Sequence, residues 1–391
     1  MNRSSSPSER LHRTLRCLAL PLCVGACSTE PSPADPDTTQ PTRCGDYSAL
    51  KNAYFGDLHT HTSYSLDAYT VATRADPAAA YAFAAKMEPV TIASGSPNGA
   101  GPTATIDRKL DFLAVTDHFM SRYGYPIVDT SPYRTDTFTT LIGAELHAPA
   151  LENGHLWHML GIGLPFDFAP PDANETGPEL AQRAVDAGAF LVLAHPEWYG
   201  ASVADLRSIP CAHAIEAQNE VAGRLNNRAD SWAIYDRVLA AGGRQFAVGG
   251  DDAHFRHVMT VKDAEPTDVV ASGVGEDAPA GFGCWVWVRS AQLDPDALVT
   301  ALKAGDFYTS QGPVFHDIRV CGDGSRIEVT NSPVVSAYAT SDPASVQMYG
   351  KHGLQITHWS ASLETCRGSY VRVTVVDAAG RSAWSNPIWI D

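Results

Sequence analysis

Residues 54–69 read YFGDLHTHTSYSLDAY, an apolar run that stops at two histidines, His59 and His61, two positions apart. In an extended segment side chains alternate between faces, so residues i and i+2 point the same way. Two imidazoles on one face at a strand end can share one cation. A lone His-x-His also occurs as two solvated histidines in a polar loop, so the rest of the chain decides its meaning.

The same design recurs downstream. AYFGDLH, KLDFLAVTDH, FTTLIGAEL, HMLGIGL, AFLVLAHP, HAIEAQN, RQFAVGGDD and CWVWVR are continuous apolar runs without a polar face, which is the pattern of buried strands. Among them DPAAAYAFAAK, GPELAQRAVDAG, SVADLRSI, ADSWAIYDRVLAAGG and DPDALVTALKAG carry Asp or Pro starts, apolar spacing near 3.6 and glycine stops, which predicts helices. Strand followed by helix, repeated, predicts an α/β domain with a parallel sheet, either a barrel or doubly wound. The polar, reactive residues all fall at the C-terminal ends of the runs, which favours the barrel. After Gly312-Pro313 the texture changes to short alternating runs, HDIRV, SRIEVTN, SVQMYG, YVRVTVVD and AWSNPIWI, which predict a small antiparallel β domain.

With 391 residues, 44% of them hydrophobic, the chain can bury a large core. A net charge of −16 argues against nucleic acid as a partner, because a phosphate backbone is held by a dense field of Lys and Arg. Any phosphate handled here is expected to be small and met by a local site. Ten of the fourteen histidines lie between His59 and His257, which again points to metal.

The N-terminus has Arg3, Arg10, Arg13 and Arg16 ahead of a short apolar stretch, Cys17 to Ala26, ending in small residues. This is the layout of an export signal, too short to span a bilayer as a stable helix, and no later segment is long and apolar enough to do so. Val24-Gly25-Ala26-Cys27 resembles the lipobox of bacterial lipoproteins, in which the cysteine is lipidated; an ordinary cleaved signal with an incidental Cys27 is the alternative. The following STEPSPADPDTTQPT reads as a flexible tether. The expected organisation is an export signal over 1–27, a tether over 28–50, the barrel over 51–315 and the β domain over 316–391. The expected location is the bacterial cell envelope, periplasm or outer membrane, with a membrane contact only through the lipid at Cys27. Cys44, Cys211, Cys284, Cys321 and Cys366 show no CxxC spacing, so a cysteine zinc site is not expected. A disulfide between Cys321 and Cys366, both in the tail, would staple a domain too small to be very stable alone, with Cys284 as a competing partner.

Collected in order, the strand ends supply His59, His61, Asp67, His118, Glu145, His158, His195, Asp252 and His254. Six histidines and three carboxylates on one rim are hard to explain as stability devices, because each buried imidazole or charge must find a partner. Nitrogen and carboxylate donors without sulfur suit zinc, manganese or iron.

As a set, HTH with the trailing TSYSLDAY, TDH, a Glu after an apolar strand, a His opening HMLGIG, AHP and GDDAH resemble the polymerase and histidinol phosphatase (PHP) superfamily over about residues 52–315. SYSLDAY with LDFLAVTDH looks like an exported branch of it, and the tail ending AWSNPIWI looks like the branch containing carbamate-insecticide hydrolases. The resemblance implies a distorted seven-stranded α/β barrel with two to three divalent ions. It puts His59, His61, Glu145 and Asp252 around a first ion, with Glu145 bridging to a second held by His158 and His195, and Asp67, His118 and His254 around a third. His155 or His147 could replace His158, and Asp251 could replace Asp252; Asp67 sits one residue later than in many members, because Leu66 intervenes. Glu145, Asp252 and His254 are the expected catalytic groups.

Water held between two cations ionises near neutral pH, and the resulting hydroxide is the expected nucleophile. Ser63 and Ser65 then read as loop hydrogen-bonders, and Asp57 and Asp117 as groups that orient an imidazole or as plain turn residues. Arg74, Arg122, Trp198, Tyr199 and FYTSQGP are candidates for contacting substrate, or for loop packing and capping; His257 reads as a solvated or helix-face histidine. The preferred function is hydrolysis of small phosphoesters outside the cytoplasm. The alternatives are a carbamate or carboxylic ester hydrolase with the same site, and a surface-tethered binding protein with structural metals.

Overall fold

The run that ends in His59 forms strand β1, Asn52–Asp57, whose residues pass from exposed to buried along its length. The computed structural model describes residues 52–390 apart from 71–72, 87, 92–102, 107, 121–126, 150, 152, 256–282, 322–323, 343–344 and 351–352. The export signal, Cys27, the tether, Cys44, Arg122 and His257 lie outside the described residues.

Six further apolar runs form β2, Phe112–Val115; β3, Thr139–Ala148; β4, Trp157–Ile162; β5, Phe190–Leu193; β6, Ala214–Asn219; and β7, Phe246–Gly250. They hydrogen-bond in the order β7-β6-β5-β4-β3-β2-β1, and the sheet continues through β8, Trp285–Ser290, and β9, Phe307–Ser310, into the tail strands Ser382–Ser385, Ser369–Val376, Ser336–Thr340 and Ser345–Tyr349. The chain is thus a mixed α/β protein built on one large mixed sheet. Past the strand ends, Thr60 bridges Ala253 in parallel, bringing the exits of β1 and β7 together.

The sheet is not wholly parallel. β4 runs antiparallel to both β3 and β5, and β8 runs antiparallel to β1. Between FTTLIGAEL and HMLGIGL no helical pattern intervenes, and a parallel partner would need a crossover of about a dozen residues or more. A short return forces the hairpin.

The helices begin where their caps predict. Thr176 and Glu179 form a reciprocal capping box at Gly177–Asp186, Ser202 and Asp205 do the same at Val203–Arg207, and Asp294 caps Pro295–Lys303. Both faces of the central strands are covered, which is why their sequences do not alternate. Phe112, Ala114, Leu160, Phe190, Val192 and Val248 form one apolar cluster inside the curl of the sheet. Leu191, Leu193, Ile215, Ala217 and Ala247, on the opposite face, pack against helices Gly177–Asp186 and Trp232–Ala240.

The tail is antiparallel throughout. Phe315–Val320, Arg326–Val334 and Ile356–Ser362 form a separate three-stranded sheet with Arg326–Val334 in the middle. The expected Cys321–Cys366 bond does not form: Cys366 is a free, buried thiol, and Cys321 is bonded elsewhere. Cys321 lies just past Phe315–Val320, its N donating to Arg326 O at 2.8 Å, and a sulfur already in one disulfide has no valence left for Cys366, which sits in the turn Glu364–Cys366.

Candidate metal centre

Glu145 stands at the middle of the site. On β3 it continues the inward positions of Leu141 and Gly143, so a strand whose inner face is otherwise apolar delivers one carboxylate into the curl of the sheet. Its Oε1 lies 2.7 Å from His158 Nδ1 and 3.3 Å from His195 Nε2. Its Oε2 lies 3.2 Å from His61 Nε2, 3.6 Å from His59 Nε2 and 3.0 Å from His118 Nδ1.

Asp252 faces the same pair of imidazoles: its Oδ1 is 3.3 Å from His59 Nε2 and 3.0 Å from His61 Nε2, and those two nitrogens are 3.1 Å apart. A short helix, Leu66–Thr70, begins at the SYSLDAY segment and carries Asp67 to the mouth, where its Oδ2 meets His254 Nε2 at 2.7 Å and His118 Nε2 at 3.3 Å. All nine expected ligand residues therefore meet at one place. Seven of them line a pocket of about 150 Å³ together with Trp198 and Val221.

Four groups of donor atoms in this cluster could hold an ion: His59, His61 and Asp252; His59, Glu145 and His195; His61, Asp67, His118 and His254; and His118, Glu145 and His147. Glu145 Oε2 and Asp252 Oδ1 are buried and receive no hydrogen bond. A buried carboxylate oxygen without a donor is costly unless a cation neutralises it, so the donor set fits divalent ions.

The alternatives left open by the sequence are placed by the geometry. Asp251 Oδ1 accepts from the backbone of Gly283 and Cys284 at 2.8 and 2.7 Å, so Asp252 is the one that meets the imidazoles. His155 is exposed in the turn before β4. His147 is buried two positions after Glu145, with Nε2 at 2.6 Å from His118 Nδ1, and shares a donor group with them; His158 belongs to none of the four groups, although its Nδ1 lies 2.7 Å from Glu145 Oε1.

The imidazoles are oriented from behind. His61 Nδ1 is 2.7 Å from Ser65 Oγ, which donates to Asp117 Oδ1 at 3.0 Å, and Asp117 also receives the Thr62 N–H at 2.6 Å. Asp117 therefore acts on His61 through Ser65. Asp57 receives the backbone N–H of His59 and not its ring. Glu216 on β6 meets His59 Nδ1 at 2.8 Å. Glu216 did not stand out in the sequence, although the inward period Ala214-Glu216-Gln218 on a buried strand was a signal for it.

Electrostatics follow the packing. Burial alone would raise the Glu145 carboxyl, yet His118 and His158 hold it well below the usual carboxylate range. Burial alone would also raise Asp67, and His254 and His118 pull it down in the same way. For His59 burial lowers the pKa, but Asp252 and Glu216 outweigh it and hold the ring above the ordinary imidazole value. For His147 burial, with His158 and His118 beside it, outweighs the pull of Glu145 and pushes the ring well below the ordinary value.

Two proposed substrate contacts are relocated. Arg74 Nη1 donates to Tyr69 O and Thr73 O at 3.2 and 2.7 Å and its guanidinium covers the Tyr69 ring, so it braces the segment behind Asp67. Tyr199 is buried, with its ring stacked on His158, and supports an imidazole where substrate contact was expected. The Phe307–Ser310 part of FYTSQGP is a fully buried strand. Trp198 does line the pocket.

The family described as Protein of unknown function (DUF3604) matches residues 48–130, which contain His59, His61, Asp67 and His118. No curated protein matches the chain. Among solved structures, a two-domain protein containing a predicted PHP-like metal-dependent phosphoesterase from Bacteroides vulgatus ATCC 8482 is similar at a TM-score of 0.40 and 14% identity, over 86% of this chain and 96% of that one.

Proposed function

We propose that the chain is a metal-dependent hydrolase of small phosphoesters. The observation that carries this reading is the buried Glu145 carboxylate, whose two oxygens face different sets of imidazoles. His59, His61, Glu145 and Asp252 would hold one ion, Glu145 with His195 and His158 a second, and Asp67, His118 and His254 a third, with His147 beside the last two. Zinc, manganese or iron suits these donors. Divalent ions, when bound, supply Lewis acidity that polarises the ester and lowers the pKa of water from about 15.7 toward neutrality.

The residues supply the geometry for that chemistry. Glu145 and Asp252 fix the reacting centre from the buried side, while His254 and half-exposed Asp67 frame it at the mouth. Several donor groups around one small pocket suit a phosphoryl group, whose charge in the transition state spreads over three oxygens. The meeting of β1 and β7 at Thr60 and Ala253 supports a distorted seven-stranded barrel as the frame. The Arg-rich start and Cys27 support an exported, lipid-anchored protein.

Trp198 and Val221 favour a second reading, because an apolar wall beside the ligands would suit the aryl or alkyl part of a carbamate or carboxylic ester. A substrate panel separates the two. Metal-dependent cleavage of nitrophenyl phosphate mono- or diesters, abolished in Glu145→Gln, is expected; fast naphthyl carbamate or ester hydrolysis without phosphoesterase activity would promote the second reading. A wild-type protein that takes up no metal after reconstitution would remove both.

A further inference from the structure

We infer that Glu216 is a positioning residue of the metal centre, fixing His59 in the tautomer that leaves Nε2 free to bind a cation. The inference rests on the metal-centre reading above and extends it, since Glu216 belongs to none of the donor groups.

Glu216 is completely buried on β6. Its Oε1 lies 2.8 Å from His59 Nδ1, and its Oε2 accepts from His195 N at 2.9 Å and from Asn219 Nδ2 at 3.0 Å. A carboxylate accepts and does not donate, so the ring hydrogen of His59 sits on Nδ1. Nε2, the nitrogen turned toward Glu145 and Asp252, then keeps its lone pair. This is the arrangement in which an outer carboxylate orients a ligating histidine and raises its basicity.

The same side chain touches His195 and reaches Asp252 through Asn219. Through the His195 N–H it helps hold a residue whose φ is 24°, and Asn219 Nδ2, bound to Glu216, also donates to Asp252 Oδ2 at 3.2 Å. The chain keeps the corridor between Glu216 and His59 open with Gly250, where a Cβ would lie 2.8 Å from His59 Cβ and 3.0 Å from Glu216 Oε1. A glycine is needed there so that the carboxylate and the imidazole can meet.

Glu216→Gln tests the idea because its shape is retained while its donors and acceptors change. One amide oxygen cannot serve all three donors. If it serves His195 N and Asn219, the NH2 group faces His59 Nδ1 and draws the ring into the Nε2–H form, which cannot bind a cation. Titration of the metal-stripped full chain with Zn²⁺ or Mn²⁺ should show about 10- to 100-fold weaker binding in Glu216→Gln, at an unchanged melting temperature of the stripped protein. Glu216→Ala, which leaves the ring free to choose, should lose less affinity per folded molecule than Glu216→Gln; a merely structural role predicts the reverse order. Two-bond ¹⁵N–¹H spectra of the histidine-labelled, metal-stripped wild type, taken at a pH alkaline enough for the ring to carry a single proton, should show His59 as Nδ1–H. Undiminished affinity in Glu216→Gln, or an Nε2–H ring in the wild type, would overturn the inference. A wild type with the Nδ1–H ring that nevertheless binds no metal would overturn the functional reading instead.

Discussion

His195 and Asp252 both hold positive φ, 24° and 54°, at strand ends where ordinary residues avoid it. Such backbone costs on the order of 1–3 kcal/mol per residue and persists only where the surroundings over-determine it. Here the fixing groups are Glu216 for His195 N, and Asn219 for the Asp252 carboxylate. The cost is repaid in aim, since both side chains reach the same centre as Glu145. Because Glu145 belongs to two donor groups, Glu145→Ala should strip more than one equivalent of metal and reduce any hydrolytic rate by on the order of 10²-fold or more, whereas His254→Ala should empty the group at the mouth alone. Elemental analysis of the two variants decides it; equal losses would mean the groups do not fill independently. At this scale the ligand residue types were legible because chemistry restricts them to His, Asp and Glu at strand ends. Glu216 was not, and the choice between His147 and His158 stayed open, because such meanings depend on which side chain lies opposite, and that is set by strand neighbours distant in sequence.

The strands and helices could be read in order from continuous apolar runs and caps, but the sense of the strands was not. Direction depends on the connection, and only the missing helix before β4 betrays the antiparallel hairpin. Strand edges also carry titratable groups whose burial sequence cannot rank. His213, one residue ahead of β6, accepts the Leu191 N–H at 3.1 Å, and burial followed by Lys303 lowers its pKa to about 4. The unfolded chain takes up this proton near pH 6.5 and the folded chain only near 4, so stability is full above 6.5 and falls as pH drops through that window. With the ring partly exposed, the loss should be about 1–2 kcal/mol after discounting for solvent. Urea melts at pH 7 and pH 4.5 should therefore differ more in the wild type than in His213→Gln. Equal pH slopes in the two proteins would assign the acid sensitivity to other groups.

On the scale of the whole molecule, the expected boundary near residue 315 is crossed by hydrogen bonds, because β9 pairs β8 on one edge and Ser382–Ser385 on the other. A change in sequence texture marks a change of local structure, and it carries no information on whether the sheet ends there. Helix Trp232–Ala240 adds a second link: Arg372 on a tail strand grips Asp236 through both carboxylate oxygens at 2.8 and 2.6 Å, and Trp232 stacks on Trp384 at 5.0 Å. The helix bearing Asp236 packs on the strands behind the metal centre, so the tail clamps the frame of the site. Arg372→Ala would leave Asp236 without this partner in a largely covered position and should cost about 3 kcal/mol, at the low end for breaking a buried pair. For a chain of this size that corresponds to a fall of several degrees in melting temperature. Tail and sheet share their hydrogen bonds, so tryptophan fluorescence and far-ultraviolet circular dichroism should still report one coincident transition in both wild type and variant. An early transition seen by fluorescence alone would show that the tail opens as an independent unit and that the sheet pairing across β9 does not couple the two halves.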